Sequence, residues 1–407
     1  MNKIYFLIIS ILILFFNLII PSGFLNIENN IYDLKQKFLP LKLKDRDIII
    51  VAINDKSINL LEEELGRWPW ERDKIGEVVE FISYANPKIL IVDILMPNPS
   101  KGDELLKDAL KKIPHILAAD FSDRKNDFKE TCFKGKELEE FSKNLKNFDY
   151  ALLPCTLINE KTKIGTIHLF NDEDGILRRY PLWQKSKDML YPSLSNAYFE
   201  NPFKGKEIKL HYYGKGGNFE YLDAFKVYIA KKILEEEGET EEVLGIKKRL
   251  EDKIVFLGVT ATGGFDLRVV PTSKTFPGVE IHTTALNNLM ENTFIKELPF
   301  YLYLIFSAIF LLFFYLILKK VKLLIQLFSL FFIFLLFTTL NFYLFSKNIN
   351  IGLDLIRDLR EEKDYYSLKF STFFNFPFNF LMQIQGGVGL RGEGKGISLR
   401  ALVFKSF

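Results

Sequence analysis

The stretch that decides the fold is DIIIVAIN, Asp47 to Asn54, a run of β-branched and small apolar residues bounded by polar ones. A continuous apolar run of this length is typical of a strand covered on both faces, as in a parallel sheet flanked by helices. Similar runs occur at Lys88 to Leu95 (KILIVDIL) and at Lys253 to Gly258 (KIVFLG). We therefore predict that these segments are central strands of one sheet.

Between the strands the apolar residues take helical spacing. The segment that opens at Asp73 and stops at Pro87 places apolar residues at i, i+3, i+4 and i+7, so they line one face of a helix. Asp103 opens a second such segment, and Pro114 to Ala119 follows it as another strand. This alternation with short connections predicts right-handed crossovers and a mostly parallel sheet.

Two more helices are predicted later, over Leu222 to Glu237 and, after Pro277-Gly278, over Val279 to Met290. The stretch from 121 to 220 has shorter elements and more turns, so we interpret it as an elaborated insertion. The predicted fold class is α/β: one extracytoplasmic domain with a mostly parallel sheet and flanking helices, and transmembrane helices at both ends of the chain.

The predicted membrane segments are residues 4–20, 300–318 and 323–345, each apolar over about the length needed to cross a bilayer. We interpret the first as an uncleaved signal anchor. The turn Lys319 to Lys322 is basic and therefore belongs in the cytoplasm by the positive-inside rule. This topology predicts a protein of the bacterial inner membrane whose soluble domain is extracytoplasmic, or periplasmic.

The tail, residues 346–407, does not fit this topology. Phe370 to Ile384 is apolar, but it is about fifteen residues long and contains Pro377. It favours either an incomplete third C-terminal span or an interfacial segment. The glycine-rich stretch GGVGLRGEGKG near the end lacks the residue order of a phosphate-binding loop.

Candidate binding residues lie at the predicted carboxyl edge of the sheet. Asp55, Asp93 and Asp120 are at or just beyond the ends of the first three strands, and Asp266 follows the fourth. Ligands bind at this edge of open parallel sheets, and converging carboxylates can hold a divalent cation or a cationic ligand. Arg72 is expected to pair with Asp55 or Asp93. The alternative is that these aspartates cap helices and turns.

Other motifs favour structural roles. We expect the indoles in GRWPWER (66–72) to bury large areas near the sheet edge. Asp172 to Gly175 is a turn signal that lacks the ligand spacing of an EF-hand, and Arg178 and Arg179 follow it at the start of a strand. The small-residue loop from Gly258 to Gly264 favours close packing over anion binding.

Cysteine and histidine usage gives no metal-site pattern. The two cysteines, Cys132 and Cys155, are either buried or free thiols, which we favour, or a disulfide, which an oxidising compartment would permit. The four histidines occur singly, and no Cys/His group has zinc-site spacing: His115, His168, His211 and His282. We expect no cofactor, and the sequence leaves a bound metal open.

Six segments, in order along the chain, resemble the type 2 CHASE domain, the sensory extracellular module associated with cyclases and histidine kinases. They are IVAINDKS (50–57), GRWPWER (66–72), ILIVDILM (89–96), DEDGILRRYPL (172–182), KIVFLGVTATGGFD (253–266) and PGVEIHTTALNNLM (277–290). The resemblance covers about residues 25 to 295. It implies an extracytoplasmic sensor of unknown ligand, normally joined through three C-terminal transmembrane helices to a cytoplasmic cyclase or kinase. This chain has two clear C-terminal spans and no effector domain.

We therefore expect a sensory input domain of a membrane receptor, without catalytic activity of its own. A metal-dependent hydrolase that uses the carboxylate cluster and a structural protein of a membrane complex are the alternatives. The expected partners are the membrane, an unknown small-molecule or ion ligand, a cytoplasmic cyclase or kinase effector and a second copy of the chain. We expect no nucleic-acid partner, because the net charge is only +3 and no Lys/Arg cluster is interleaved with aromatics.

Overall fold

A computed structural model describes most of the middle of the chain and parts of its end. The described residues are 21–43, 47–123, 132–133, 135–187, 189–262, 266–297, 339–340, 343–344, 346–347, 349–350, 367–376, 380–389 and 396–405. The chain divides into two compact units, one formed by Gln36–Ile295 and the other by Met1–Lys35 with Lys296–Phe407. The candidate binding residues all belong to the Gln36–Ile295 unit.

Helices and strands alternate through the first half of this unit, as the sequence predicts. The helices are α1 (Pro21–Phe38), α2 (Asp55–Leu65), α3 (Arg72–Tyr84), α4 (Asp103–Leu110), α5 (Ala224–Glu236), α6 (Glu241–Leu250) and α7 (Gly278–Glu291). Short 3-10 helices occupy Glu140–Asn144 and Asn196–Tyr198. The strands up to residue 277 are β1 (Ile48–Ile53), β2 (Ile89–Asp93), β3 (His115–Ser122), β4 (Asn147–Phe148), β5 (Tyr150–Leu152), β6 (Thr162–Thr166), β7 (Arg179–Pro181), β8 (Trp183–Ser186), β9 (Met189–Pro192), β10 (Glu207–Lys209), β11 (Glu220–Asp223), β12 (Ile254–Val259), β13 (Leu267–Val270) and β14 (Ser273–Pro277).

A seven-stranded sheet organises the unit. Its order is β11–β1–β12–β2–β3–β5, and β6 also pairs with β3. Every pairing is parallel except that of β3 with β5. The late strand β12 lies between β1 and β2, so the strands that come first in sequence are not neighbours in the sheet.

The helices α2 to α6 cover one face of this sheet. The connections β1 to β2, β2 to β3 and β11 to β12 all step across the sheet in the same direction, and right-handed crossovers then place their helices on the same side. The core on this side joins Val51 and Val92 of the strands to Val79 and Val227 of the helices. The opposite face carries Ile50 and Phe256, which pack with residues of α7.

Helix α7 is enclosed on all sides. Every residue from Gly278 to Leu289 is buried, although the segment includes charged, hydroxyl and amide side chains. One side of the helix packs on the sheet, and the other packs on a cluster from the insertion that contains Tyr180 and Trp183. A helix buried all round has no solvent-facing stripe, so its polar residues must find partners within the protein.

Close approach of α7 to the sheet depends on Gly258. This glycine lies in β12 opposite Asp93 of β2. A Cβ atom built at Gly258 would lie 2.7 Å from Cγ2 of Val279, the second residue of α7. The absence of a side chain at this position therefore sets the distance between the helix and the sheet.

The insertion consists of short strands, as expected. Its small sheets are β4–β8–β9 and β10–β7, while β13 and β14 form a separate hairpin nearer to α7. Cys132 and Cys155 form a disulfide across this region, with Cα atoms 5.5 Å apart. The favoured prediction of two thiols is therefore wrong, because the chain between Cys132 and Cys155 folds back and brings their backbones close enough for a disulfide.

The second unit contains further strands. They are β15 (Lys296–Glu297) and β16 (Ile349–Asn350), which pair in parallel, and β17 (Ser367–Phe376), β18 (Phe380–Gly389) and β19 (Gly396–Lys405), which form an antiparallel sheet. The apolar segment Phe370 to Ile384 of the tail thus contributes to the hairpin of β17 and β18.

The membrane part of the fold prediction is corrected. We predicted transmembrane helices at both ends of the chain, and no helix among the described residues is long and apolar enough to cross a membrane. Helix α1, at 18 residues, carries charged side chains along its length, which an apolar span excludes. The predicted spans 4–20 and 300–318 lie outside the described residues, as does 323–345 apart from 339–340 and 343–344.

Replacement of Gly258 by alanine tests the close approach of α7. The added Cβ meets a β-branched side chain that is held between helix and sheet, so Gly258→Ala is expected to lower the free energy of unfolding by about 1–3 kcal/mol. Chemical denaturation of the full chain measures this. Gly245→Ala on α6 is the control, because its Cβ meets no atom within 4 Å and alanine favours the helix by about 0.5–1 kcal/mol. Equal effects of both substitutions would contradict the packing argument.

Candidate functional site

Asp93 is the last residue of β2 and lies on the face of the sheet that α7 covers. Its side chain is only 4% exposed. Its Oδ2 atom has no hydrogen-bond partner among the described residues. Buried carboxylates are normally paired or fully hydrogen-bonded, so the unpaired Oδ2 atom lowers the stability of the folded protein.

His282 of α7 faces Asp93. Its Nε2 atom lies 3.9 Å from Oδ1 of Asp93, and the imidazole side chain is 2% exposed. This separation is too long for a hydrogen bond, although it is close enough for strong electrostatic interaction in a buried place. The pair therefore links the end of β2 to the middle of the last helix without a direct bond.

The other ring nitrogen of His282 belongs to a buried network. Nδ1 lies 2.7 Å from the hydroxyl of Tyr180, which lies 2.9 Å from Oγ of Ser195. The backbone N–H of Ser195 donates to the Tyr180 oxygen at 3.2 Å, and Oγ of Ser195 donates to the carbonyl oxygen of His282 at 2.7 Å. These contacts fix the orientation of the imidazole ring, so that Nε2 is aimed at Asp93.

Asp266 lies near Asp93, on the side of the candidate site that is more exposed to solvent. Its carboxylate occupies the space beside Gly278, where a Cβ atom would lie 1.9 Å from Oδ2 of Asp266. Oδ1 of Asp266 is 3.5 Å from Nε of Arg268, and the two side chains are 40% and 36% exposed. Asp266 and Arg268 thus form a partly hydrated ion pair at the start of α7.

Burial and charge shift the ionisation of these groups. Burial raises the pKa of Asp93 well above its usual range, and the Asp266 carboxylate raises it further, while Arg268 opposes both. Burial also raises the pKa of Asp266 against the effect of Arg268, but water reaches this side chain and weakens the shift. Burial, assisted by Arg268, lowers the pKa of His282 to about 3. At neutral pH His282 is therefore an uncharged base, and Asp93 is biased towards its uncharged acid form.

Two of the predicted aspartates lie in other surroundings. Asp120 accepts a hydrogen bond from Nδ1 of His168 at 2.8 Å, beside the rings of Phe148 and Phe170. Asp55 is the first residue of α2 and accepts from the backbone N–H and hydroxyl of Thr262. Asp55 therefore orders a turn, as in the structural alternative.

The prediction that Arg72 pairs with Asp55 or Asp93 is wrong. Arg72 is buried and donates to Asp103 and to the carbonyl oxygen of Asn98, rather than to Asp55 or Asp93. The reason is that Arg72 begins α3 and Asp103 begins α4, and these two helix starts are packed together. Among the described residues no group of three or more His, Cys, Asp or Glu side chains could hold a metal ion.

Sequence reasoning missed the partners of Asp93. His282 and Tyr180 lie in two of the six segments that resemble the family, but neither has a chemical partner nearby in the sequence, and Ser195 and Arg268 lie outside these segments. A signal was nevertheless present in PGVEIHTTALNNLM, because its polar residues do not fall on a single helical stripe. Such a pattern indicates a helix with polar groups buried on several sides.

Glu280 anchors the first turn of α7 to a glycine-rich loop. Its buried carboxylate accepts hydrogen bonds from the backbone N–H groups of Gly217 and Asn218, at 2.8 and 3.2 Å, and from the hydroxyl of Tyr221 at 2.7 Å. Gly217 has a φ of +88°, a backbone conformation that glycine adopts without strain. The start of α7 is therefore held on one side by this loop and lies beside the Asp266–Arg268 pair on the other.

The remaining motifs have the structural roles that the sequence indicates. Asp172 accepts from Arg178 and Arg179, and Asp174 also pairs with Arg178, which locks the acidic turn to the strand after it. Trp70 is buried and makes an edge contact with Trp68 at a centroid distance of 5.3 Å. These groups stabilise the insertion and the approach to α3.

Comparison with protein families gives one match. The model of the CHASE2 domain matches residues 7–318, which is more than half of the chain. The chain therefore belongs to the CHASE2 family, whose domain is an extracellular sensory module. The resemblance of the six sequence segments is confirmed. Neither the curated proteins nor the solved structures contain a match to the chain.

Glu280→Gln tests the anchoring of α7. The amide keeps the shape of the side chain but replaces one charge-assisted acceptor by a donor that faces other donors, so we expect a loss of about 1–3 kcal/mol in the free energy of unfolding. Chemical denaturation measures the loss. Glu236→Gln on the exposed face of α5 is the matched control and should change stability by less than about 0.5 kcal/mol. A neutral Glu280→Gln would show that the loop is not tied through this carboxylate.

Proposed function

We propose that this CHASE2 chain is the extracytoplasmic sensory input of a membrane receptor, with the sensory domain spanning residues 25–295. Its stimulus acts at the carboxyl edge of the sheet, at Asp93, Asp266 and Arg268, and the response leaves through α7. Family membership supports a sensory role rather than a catalytic one. The single observation that carries the site is the buried, unpaired Oδ2 atom of Asp93.

The unpaired Oδ2 atom of Asp93 destabilises the folded protein, and this destabilisation is the reason to assign a function to Asp93. A buried carboxylate without partners lowers stability, and proteins retain such groups where binding or chemistry requires them. Its position agrees with a general rule, because ligands of open parallel sheets bind outside the carboxyl ends of the strands. Asp266 and Arg268 then provide the hydrated entrance, since more than a third of each side chain is exposed.

Helix α7 suits the task of carrying a response. It is the last helix of the Gln36–Ile295 unit, and it contacts the sheet, the hairpin β13–β14 and the 3-10 helix at Asn196–Tyr198. The candidate site lies at its start and beside its middle, through Gly278 and His282. A change of ionisation or occupancy at the site would therefore act directly on the element that ends the domain.

The disulfide supports an extracytoplasmic location. Disulfides persist in oxidising compartments and are rare in the reducing cytoplasm. Cys132 and Cys155 are joined, and no described cysteine is free. We place the domain on the outer side of the bacterial inner membrane, and we propose a cytoplasmic cyclase or kinase as its output partner and a second copy of the chain as a further partner.

The alternative functions find less support. A metal-dependent hydrolase would need the predicted aspartates to converge, and the described residues bring Asp93 and Asp266 together while Asp55 and Asp120 serve other contacts. No specific contact of the described residues favours a purely structural role in a membrane complex. A sensory role is therefore better supported than a hydrolase or a structural role.

Ligand-dependent stabilisation tests the binding role. The full chain is screened by thermal unfolding against amino acids, amines, carboxylates, sugars, phosphate and divalent cations. A ligand at about 100 times its Kd adds about 2.7 kcal/mol, which raises Tm by roughly 5–10 °C for a domain of this size. We expect Asp266→Asn to abolish the shift, and Asp108→Asn on the exposed face of α4 to retain it. A shift that survives Asp266→Asn would place the site elsewhere.

Thiol chemistry tests the location. In intact cells a thiol reagent should label neither cysteine until a reductant is added, because the bond between them is protected by the oxidising compartment. Cys132→Ser should lower the free energy of unfolding by about 3 kcal/mol, since the bond joins residues 23 positions apart. The double variant at both cysteines should unfold at the same denaturant concentration as the single one. Labelling of the untreated wild-type chain would contradict an extracytoplasmic domain.

A further inference from the structure

The network beneath α7 has four short contacts, and each one needs a proton. The contacts join Ser195 N to the Tyr180 oxygen, the Tyr180 oxygen to Ser195 Oγ, Ser195 Oγ to the His282 carbonyl oxygen, and the Tyr180 oxygen to His282 Nδ1. Ser195 supplies one proton from its backbone and one from its hydroxyl, and Tyr180 supplies one from its phenol. The fourth proton must come from His282.

This count favours the Nδ1–H tautomer of His282. The hydroxyl proton of Ser195 is the only one that can lie between Oγ and the carbonyl oxygen of His282, so the proton between Ser195 and Tyr180 comes from the phenol. The contact between Tyr180 and Nδ1 is then satisfied only if Nδ1 carries the proton and donates it. In the uncharged ring Nε2 is therefore a bare acceptor, and it is the atom that faces Asp93.

An ionised Asp93 does not fit beside this acceptor. Two atoms with lone pairs would face each other across 3.9 Å in a buried place, and Oδ2 would still lack a donor. One added proton removes the conflict, because an Asp93 hydroxyl can donate to Nε2, or a protonated Nε2 can donate to the carboxylate. The Asp93–His282 pair can therefore form a hydrogen bond when it holds one proton.

We propose that Asp93 and His282 form a one-proton binding site and that the proton is the stimulus to which the domain responds. The inference rests on the proposed sensory function and names the ligand of its site. In the step, the O–H bond of Asp93 breaks, the bonding electrons stay on the carboxylate, and the proton passes to solvent water. No other reactant is needed.

The charges around Asp93 come from a few neighbouring elements. Helix α7 contributes His282, strand β7 contributes Tyr180, and the segment of Asp266 and Arg268 contributes one charge of each sign. Strand β12 contributes Gly258, which has no side chain. Ionisation of Asp93 would thus place a second negative charge near Asp266, with only Arg268 as a compensating cation among these groups.

Proton binding can act on the position of α7. A hydrogen bond between Asp93 and His282 requires a heavy-atom distance near 2.8 Å, so the protonated pair draws the carboxyl group and the imidazole together by roughly 1 Å and ties α7 to the end of β2. Loss of the proton removes the donor and leaves a buried charge, which favours separation and entry of water. The proton thus biases two positions of the last helix of the domain.

The sign of the pH dependence follows from linkage. Asp93 has a pKa above its ordinary 3.8 in the folded chain, so its contribution to stability is complete at low pH and is lost as pH rises from 3.8 through the folded pKa. His282 acts in the opposite direction, because its lowered pKa removes stability as pH falls from 6.5 towards about 3. Comparison of wild type with a variant at Asp93 cancels the contribution of the other groups.

The test uses Asp93→Asn in the full chain, since asparagine keeps the shape and mimics the uncharged acid. The measured quantity is the difference in Tm between the two proteins, variant minus wild type. We expect this difference to increase by roughly 3–5 °C per pH unit between about pH 4 and the folded pKa of Asp93, and then to level off. In wild type the infrared carbonyl band of a protonated carboxyl group should persist at pH values well above the ordinary aspartate value of 3.8, and it should be absent from the variant. Hydrogen exchange of residues Gly278–Glu291 should show a pH-dependent opening in wild type that Asp93→Asn removes.

The matched control is Asp120→Asn, which removes a second Asp–His pair from the same edge, with both side chains 29% exposed. All three readouts should keep their wild-type pH dependence in this variant. Parallel Tm curves for wild type and Asp93→Asn, or a carbonyl band that Asp93→Asn leaves unchanged, would overturn the proposal. If Asp93→Asn does not fold, wild type labelled with 13C-aspartate decides: an isotope shift of a protonated-carboxyl band that persists at pH values well above 3.8 supports the site, and its absence overturns it.

The pH series and the ligand screen can fail separately. A ligand-induced rise in Tm that is lost in Asp266→Asn, together with a flat pH response at Asp93, would leave the sensory function standing and remove the proton as its stimulus. A proton bound at Asp93 without any change in the exchange of α7 would also remove the proton as a stimulus. Opening of α7 in step with the Asp93 titration is the result that supports both.

Discussion

Gly258 leaves no room for a side chain against Val279, and this close packing sets how near the last helix comes to the sheet. The same approach encloses α7 between the sheet and the insertion, so that its polar residues must bond inside the protein. Asp93 is paired with Gly258 in the neighbouring strand, and the helix that buries the glycine buries the carboxylate as well. The candidate site thus depends on the close packing of α7 against the sheet at Gly258 and Asp93.

Much of the fold could be predicted because buried parallel strands leave a simple pattern. The runs DIIIVAIN, KILIVDIL and KIVFLG became β1, β2 and β12, since helices cover both faces of these strands. Strand β11 was missed, because EYLD is short and lies at the sheet edge, where its pairing with β1 depends on tertiary structure. The helix predicted from Leu222 accordingly begins at Ala224. Transmembrane helices were inferred from apolarity alone, and the described helices do not include one.

The candidate site was predictable only in part. That Asp93 and Asp266 lie at one edge follows from the parallel arrangement, because parallel strands carry their carboxyl ends together. The partner of Arg72 was not predictable, since it depends on how the starts of two helices pack. A single histidine carries no pattern, so the role of His282 appears only when the burial of the whole helix is known. Asp120 pairs instead with His168, and the sequence holds no sign of that contact.

The central position of β12 constrains when the sheet can form. Ile48 of β1 and Ile89 of β2 both pair with Ile254 of β12, so β1 must wait for a partner 206 residues away in the chain and β2 for one 165 residues away. Contacts of such sequence separation slow folding, because a long loop must close before pairing stabilises it. Until then the edges of β1 and β2 that later accept β12 remain open to other strands. A newly made chain would therefore depend on protection of these two edges until β12 pairs with both strands and completes the sheet.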